Sequence, residues 1–462
     1  MSTAYGLDAV IVLCFFAVCL AVGVLFARQQ KGFDTFVLAG HSLGFWHVFG
    51  TIVSTIAGFS IVFAHAIYGY KYGISVMWSP PAVLIAFLLF ATFVSKLKRV
   101  SEERKYKTYA DMLLDRYDRK TQVLGSLLTV ANFLALASIN VYGIGLFLST
   151  LFEIPFSLAV PLGAGIVVIY VILGGFLAVV WTDLLQLVVT LIGLCCLIPA
   201  AYAAVAKAGG LAANLPTEFF GPTTWGVDKI IGTYIVVIPI LFSSQDIWQR
   251  VFSARDMKTA RNAVVAGGFL ISIGAAMAVY LGMCSRALLP DIDAEYALPA
   301  LITHLLPSGM IGLLMVAYLA AFTSSADSFL LVVSSAITQD FFRSRQGTEL
   351  DEKTAIKFLR IVTLICGVLV IAIITAFPNI VGILFTVLTW LMILVPATLS
   401  GFFWKHTTAN AAFWSILIGW ITAIAYTAAT ADAETAGVIA IVPTVIVLVV
   451  ATQFSKKTRG QT

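Results

Sequence analysis

The chain is a series of apolar stretches whose lengths match that of a membrane-crossing helix. A helix needs about 20 mostly apolar residues to cross the hydrocarbon core of a bilayer. Only 11% of the 462 residues are charged, against about 25% in soluble domains. Thirteen candidate spans have the approximate bounds 7–27, 44–69, 74–95, 122–151, 155–180, 184–206, 229–249, 262–285, 306–338, 357–377, 379–403, 411–430 and 436–454. The sequence therefore predicts an all-α, polytopic membrane protein.

The basic residues lie mostly on one side of the predicted membrane. If the N-terminus is outside and the chain crosses thirteen times, nearly all of the 28 Lys and Arg residues face the cytoplasm. Those on the outer side are Lys71, Lys207, Lys229 and Arg286. Cytoplasmic connectors carry this excess of positive charge. We therefore expect an integral protein of a bacterial inner membrane, with its N-terminus outside and its C-terminus cytoplasmic. The net charge of +5 then reflects topology and does not indicate a nucleic-acid partner.

Two of the spans are interrupted halfway by small and polar residues. The second contains residues 54–60 (STIAGFS), where Gly58 permits the helix to unwind. The seventh contains Pro239, which removes a helical hydrogen bond, followed by the polar residues 243–246. Unpaired backbone at membrane depth is tolerated where it is buried in protein or lines a cavity. These breaks therefore indicate a binding site inside the bilayer.

The positions of the two breaks also predict an internal repeat. They are five spans apart, an odd number, so two units of five spans that begin with them would have opposite orientations. Paired broken helices in inverted halves are typical of secondary transporters. We therefore expect one transmembrane domain over residues 1–462, with a first repeat at about 44–206 and an inverted second repeat at about 229–403. The spans 7–27, 411–430 and 436–454 would be peripheral.

The ninth span concentrates oxygen-bearing side chains in an apolar setting. Within six residues it contains Thr323, Ser324, Ser325, Asp327 and Ser328. A carboxylate inside a membrane span is costly, and its presence indicates a functional site. Clustered hard oxygens without Cys or His suit Na⁺ or H⁺ better than a transition metal. The alternative is that the hydroxyls bond back to their own helix and the small residues pack helices together.

Several motifs, in register with the spans, resemble those of the sodium/solute symporters, the family of the bacterial proline permease and the sodium/glucose transporters. These motifs are FVLAGHSLG at 36–44, YKYG at 70–73, GGFLAVVWTD at 174–183, QDIWQR at 245–250 and SSADS at 324–328. The resemblance runs from about residue 7 to residue 405. It implies the leucine-transporter (LeuT) fold, a five-plus-five inverted repeat, and Na⁺ as the coupling ion.

The same resemblance implies where cations would bind. The family's common Na⁺ site would use the main-chain carbonyls of Ser54, Ala57 and Ala321 and the hydroxyls of Ser324 and Ser325. A second cation site, found in some members, would use Asp183, Ser324, Asp327 and Ser328, although Asp327 stands where those members have a serine. The alternatives for Asp183 are a structural hydrogen bond or a salt bridge to a cytoplasmic arginine. Two neighbouring carboxylates could also bind a proton instead.

The solute should bind at the midplane between the second, third, fourth, seventh and eleventh spans. This region has few donors and acceptors, which favours a small, partly apolar solute over a sugar. The polar candidates for binding it are Ser60, His65, Trp78, Asn140, Tyr142, Ser243, Gln245 and Trp390. A histidine on an otherwise apolar helix is more often packed in the protein than a ligand, which is the alternative for His65. At the cytoplasmic end of the seventh span, Asp246 and Arg250 have the spacing of a helical ion pair.

We therefore expect a Na⁺-coupled symporter that imports a small organic solute, such as the amino acid proline or a short monocarboxylate, by alternating access. Its partners would be the solute and the lipid bilayer, with no obligatory protein partner. The six cysteines form no CxxC spacing, and no HExxH or GxSxG motif is present, which argues against a metal framework or an enzyme. An H⁺-coupled symporter of the same fold, or a solute-sensing member that lacks transport, are the alternatives.

Overall fold

A computed structural model of the chain describes residues 6–27, 32–343, 351–376, 380–430 and 432–459. Within these ranges the chain is helical, and the strand-like pairing consists of one isolated bridge between Leu43 and Ala254. The predicted all-α class is confirmed. Helices are the expected outcome, because a chain in hydrocarbon must satisfy its backbone hydrogen bonds within each segment.

Eighteen α-helices are described. The first nine are α1 (Gly6–Ala27), α2 (Phe33–Leu38), α3 (Phe45–Ile56), α4 (Ala64–Tyr72), α5 (Ser79–Arg104), α6 (Tyr109–Arg116), α7 (Arg119–Phe152), α8 (Phe156–Lys207) and α9 (Leu211–Asn214). The others are α10 (Val227–Ile240), α11 (Gln245–Ser253), α12 (Met257–Leu288), α13 (Ala297–Leu305), α14 (Met310–Ala336), α15 (Glu352–Ala376), α16 (Ile380–Phe403), α17 (Ala409–Thr430) and α18 (Ala433–Arg459).

Side-chain caps fix the starts of several helices at the ends of the spans. The carboxylate of Asp118 accepts the main-chain N–H of Thr121 at 2.8 Å at the start of α7. The carboxylate of Asp256 accepts the main-chain N–H of Thr259 at 2.7 Å at the start of α12. These bonds satisfy N–H groups that have no partner within the helix. The bond from the Thr259 main chain also holds the pKa of Asp256 below its usual value.

Eleven helical segments of the described residues are long and apolar enough to cross a membrane. Two of them each contain parts of two predicted spans: Ile61–Arg104 and Phe156–Lys207. A straight helix of 52 residues, the length of α8, would be about 78 Å long, more than twice the bilayer core of about 30 Å. The backbone of α8 turns at Gly175, where φ is 56° and ψ is −157°. The count of thirteen spans stays a prediction.

Both predicted breaks are confirmed. The helix α3 ends at Ile56, a π-helical segment follows over Ala57–Phe63, and its Gly58 has a non-helical ψ of −137°. The helix α10 ends just after Pro239, and α11 begins at Gln245. Proline and glycine interrupt the hydrogen-bond ladder at the two places where the sequence places them.

The helix α14 lies in the interior of the protein. It packs against α7 and α8 along its length and against α1, α3 and the π-helical segment Ala57–Phe63. Its hydroxyls and its carboxylate are all buried. They therefore face other helices and not lipid, as expected for polar groups at membrane depth.

Candidate functional site

The first candidate site lies where α14 meets the end of α3. The hydroxyl of Ser325 donates to the main-chain carbonyl of Thr55 at 2.5 Å and lies 3.2 Å from the carbonyl of Ala321 in its own helix. Gly58 is close beside it, since a Cβ added there would lie 2.0 Å from Ser325 Oγ. The Thr55 carbonyl can accept this bond because the regular helix ends one residue later.

The oxygens at this junction suit a sodium ion. They are neutral carbonyl and hydroxyl oxygens, and a hard monovalent cation prefers such ligands. The side-chain oxygen of Ser54 is buried and has no hydrogen-bond partner among the described residues. The predicted ligand of Ser54 is its main-chain carbonyl, so this hydroxyl is an additional buried oxygen next to the break. Of the five predicted ligand residues, Ala321 and Ser325 of α14 lie at the end of α3. This helix contains Ser54, and Ala57 follows it.

The hydroxyl of Ser324 points elsewhere. It donates to Asp183 Oδ1 of α8 at 2.5 Å. The other carboxylate oxygen of Asp183 accepts a hydrogen bond from the hydroxyl of Thr51 and lies 3.9 Å from the guanidinium of Arg250. Asp183 and Arg250 are both fully buried. The expected structural alternative for Asp183, a salt bridge to an arginine, is present in this geometry.

Arg250 joins α11 to two other helices. Its Nη2 donates to the hydroxyls of Ser328 at 2.6 Å and Thr55 at 2.5 Å. Its Nη1 donates to the main-chain carbonyl of Asp246 at 2.9 Å. The predicted side-chain ion pair between Asp246 and Arg250 is therefore replaced by a bond to the backbone, because the guanidinium turns towards Asp183.

Asp327 faces α8 and makes its side-chain hydrogen bond to a different partner from the other members of the predicted second cation site. Its Oδ2 accepts a hydrogen bond from the hydroxyl of Tyr170 at 2.6 Å. Its Oδ1 is buried and has no hydrogen-bond partner in the described part of the chain. Asp183, Ser324 and Ser328 are thus connected through Arg250, whereas Asp327 bonds to Tyr170.

A cavity of about 380 Å³ lies between α4, α5, α7, α10 and α16, and Thr435 and Val438 of α18, which was expected to be peripheral, also line it. The first five helices belong to the five spans that the sequence predicts around the solute. The wall is mostly apolar, and side chains of Ile61, Phe87, Phe133, Val237 and Leu384 contribute to it. The polar and charged residues in the wall are His65, Tyr68, Ser79, Trp225, Asp228, Lys229, Thr233, Ser244, Asp246 and Thr435.

Among the predicted solute-binding residues with described side chains, His65 lines the cavity. Its Nε2 is hydrogen-bonded to the hydroxyl of Ser79 at 2.9 Å. The side chain of Ser60 lies outside the described residues. The cavity wall does not include Trp78, Asn140, Tyr142, Ser243, Gln245 and Trp390.

The predicted residues that do not line the cavity have other environments. The indole of Trp78 donates to the carbonyl of Pro222 at 3.0 Å, and the hydroxyl of Tyr142 donates to Glu295 at 2.6 Å. The hydroxyl of Ser243 donates to the carbonyl of Leu391 at 2.6 Å. Asn140 donates to its own helix, Gln245 accepts the main-chain N–H of Tyr109, and the ring of Trp390 packs on that of Trp420. These contacts hold helices and loops together around the cavity.

Sequence reasoning missed Asp246 and Ser244 as cavity residues. Both lie at the start of α11, where the broken seventh span resumes. The signal was present, because freed backbone after Pro239 predicts a cavity at that point. The helical spacing of Asp246 and Arg250 directed the interpretation to an ion pair instead.

The model of the sodium:solute symporter family matches residues 36–419. The chain belongs to this family. It is similar to the human sodium/myo-inositol cotransporter 2, with 25% identity over 89% of this chain and 68% of that protein. It is also similar to the sodium/sialic acid symporter NanT of Aliivibrio fischeri, with 24% identity over 91% of this chain and 86% of that protein. These relatives are transporters, and the predicted class of sodium-coupled transporter is confirmed.

Solved structures show the same fold. A Na⁺-coupled sialic acid symporter in a substrate-bound, outward-open state superposes with a TM-score of 0.82 at 21% identity, covering 97% of this chain and 98% of that one. A nucleobase-cation-symport-1 family transporter, MHP1, gives a TM-score of 0.60 at 13% identity, over 92% of this chain and 95% of that one. The predicted LeuT-type fold is confirmed.

Proposed function

We propose that this protein is a symporter that uses the inward sodium gradient to import a small organic solute by alternating access. One observation supports this most strongly: the candidate sodium site and the cavity are both formed in part by the same broken helix. Thr55, at the end of α3, accepts the hydroxyl of Ser325, while Ile56 and Ile61 on either side of the break line the cavity. A sodium ion that holds the broken segment against α14 would therefore also set the positions of Ile56 and Ile61 in the cavity wall.

This sharing gives coupling a physical basis. An ion at the junction would be held by the carbonyl of Ala321, the hydroxyl of Ser325 and the opened end of α3, including Ser54 and Ala57. It would thereby fix one arrangement of the break. If the solute prefers the same arrangement, each ligand raises the affinity for the other by the same factor. Neutral oxygens bind Na⁺ without a fixed negative charge, which helps release into a cytoplasm low in sodium.

We propose that one sodium ion binds, because an internal cation lies at the second position. The guanidinium of Arg250 lies 3.9 Å from Asp183 and donates to Ser328. These are two residues of the second cation site that the resemblance implies. A buried carboxylate needs a compensating charge, and the arginine provides it. A second Na⁺ among Asp183, Ser324 and Ser328 would have to displace this side chain.

The solute proposed from the sequence is an amino acid such as proline or a short monocarboxylate. Relatives named for their solutes carry myo-inositol, sialic acid and, in Haemophilus influenzae, pantothenate. They differ too much in chemistry to assign the solute of this chain. The cavity of about 380 Å³ with a mostly apolar wall supports a small, partly apolar solute. We place the protein in a bacterial inner membrane, with its N-terminus outside and its C-terminus in the cytoplasm.

Uptake into proteoliposomes tests this function. We expect L-proline to accumulate when an inward sodium gradient is imposed and not when potassium replaces sodium. Accumulation driven equally well by a pH gradient without sodium would favour the H⁺-coupled alternative. Solute binding without any accumulation under either gradient would favour the sensing alternative.

A further inference from the structure

The cavity has a buried carboxylate at the end that is formed by the start of α11. Asp246 is the second residue of α11, is only 4% exposed and lines the cavity together with Ser244. The hydroxyl of Ser244 donates to Asp246 Oδ1 and orients the carboxylate. A buried charge in an apolar wall is costly unless a partner compensates it. Its position at the break of the seventh span places it where a solute would contact it.

The nearest arginine forms no direct ion pair with Asp246 among the described residues. Arg250 follows Asp246 by one helical turn, but its guanidinium donates to the main-chain carbonyl of Asp246 and turns towards Asp183, Ser328 and Thr55. Arg250 does not belong to the cavity wall. The guanidinium is near enough to attract the Asp246 carboxylate electrostatically, but it makes no ion pair with it, and the carboxylate lines the cavity.

The other charged residues of the wall lie far from Asp246. Asp228 and Lys229 are at the start of α10, whose 14 residues rise about 21 Å before the break. These two neighbouring residues carry opposite charges, so their charges offset each other. Among the described wall residues, Asp246 is therefore the carboxylate at this end of the cavity.

We propose that Asp246 recognises the solute and that the solute carries a protonated or quaternary nitrogen on a small apolar body. This inference rests on the proposed function and narrows it to a solute class. A cationic nitrogen compensates the carboxylate, while the apolar body contacts residues such as Val237 and Phe133. A monocarboxylate without a cationic nitrogen has no group to compensate Asp246 and would only add a second negative charge. A polyol would leave most of its hydroxyls against apolar side chains, which is costly. Of the two solutes predicted from the sequence, the amino acid is favoured.

Thermal unfolding of the purified protein tests this class directly, because a ligand that binds the native state stabilises it by mass action. The panel is L-proline, glycine betaine, butyrate and myo-inositol, each measured in NaCl and in KCl. Potassium, and not the common substitute choline, replaces sodium here, because choline itself carries a quaternary nitrogen and could occupy the solute site. We expect proline or betaine to raise the unfolding temperature in NaCl and to have a smaller effect in KCl. Stabilisation by butyrate or myo-inositol, without any by the two nitrogen compounds, would overturn the inference and leave sodium symport intact.

Variants locate the effect at Asp246. Asp246→Asn keeps the shape and removes the charge, and it should raise the half-saturating concentration of the nitrogen compound about tenfold or more. Asp246→Glu keeps the charge and should retain more of the affinity than Asp246→Asn does. The control Asp291→Asn removes the same charge from an exposed turn after α12 and should leave the affinity unchanged. Unchanged affinity in Asp246→Asn would refute the role of this carboxylate, whereas the absence of any sodium-driven uptake in the unmodified protein would refute the proposed function.

Discussion

Replacing Ser325 with alanine removes a hydroxyl that joins two helices at the proposed sodium site. In the native protein this hydroxyl donates to the Thr55 carbonyl at 2.5 Å and lies beside the Ala321 carbonyl at 3.2 Å. The same oxygen would be a ligand of the ion. A polar contact of this kind contributes about 1–2 kcal/mol. Because about 1.4 kcal/mol corresponds to a tenfold change in affinity, the half-saturating sodium concentration should rise roughly 5- to 30-fold.

The assay is initial solute uptake into proteoliposomes over a range of sodium concentrations at a fixed membrane potential. The maximal rate at saturating sodium should fall much less than the affinity, because the ion still has its carbonyl ligands. Ser334→Ala is the matched control, since Ser334 is buried in the same helix and its hydroxyl bonds back to Leu331 at 3.2 Å. That variant should retain the sodium dependence of the unmodified protein. A well-folded Ser325→Ala protein with unchanged sodium dependence would refute the assignment of this site.

Three further predictions concern the break, the buried ion pair and the start of α14. Gly58→Ala should raise the half-saturating sodium concentration at least as much as Ser325→Ala does, because the new Cβ would lie 2.0 Å from Ser325 Oγ. An unchanged half-saturating sodium concentration in this variant would contradict the geometry. Asp183→Asn should lower thermal stability by about 3–5 kcal/mol, because it leaves the Arg250 charge buried without its carboxylate. Adding Arg250→Met should restore part of that loss, and a double-mutant cycle without coupling would contradict the pair. Asp8→Asn should lower the unfolding temperature without changing sodium affinity, because Asp8 accepts the main-chain N–H groups of Gly309 and Gly312 at 2.6 Å each and lies outside the two sites; an altered sodium affinity would count against a purely structural role.

The sequence predicted those features of the fold that depend on local patterns. Apolar runs of the right length predicted the membrane helices, while Gly58 and Pro239 predicted where two of them break. These residues act on their own backbone, so no knowledge of distant partners was needed. The family resemblance added the prediction that the second and ninth spans meet at the sodium site.

The contacts between distant helices could not be predicted in the same way. Spacing predicted that Arg250 would pair with Asp246. Asp183, 67 positions earlier in the chain, lies in α8 at 3.9 Å from the guanidinium and competes for it. The resemblance likewise grouped Ser324 with Asp327 in one cation site. A helix turns by about 100° per residue, and the packing of α14 against α8 decides which partner each side chain meets. Here Ser324 meets Asp183, and Asp327 meets Tyr170.

The central claim is that sodium and solute cross the membrane together through sites that share the broken helix. The most direct test measures the fluxes of radiolabelled sodium and of the solute in the same proteoliposomes. We predict that sodium entry requires the solute, that solute entry requires sodium, and that about one sodium ion enters with each solute molecule because Arg250 occupies the second cation position. Solute entry at the same rate with and without sodium, and with no accompanying sodium flux, would contradict this account.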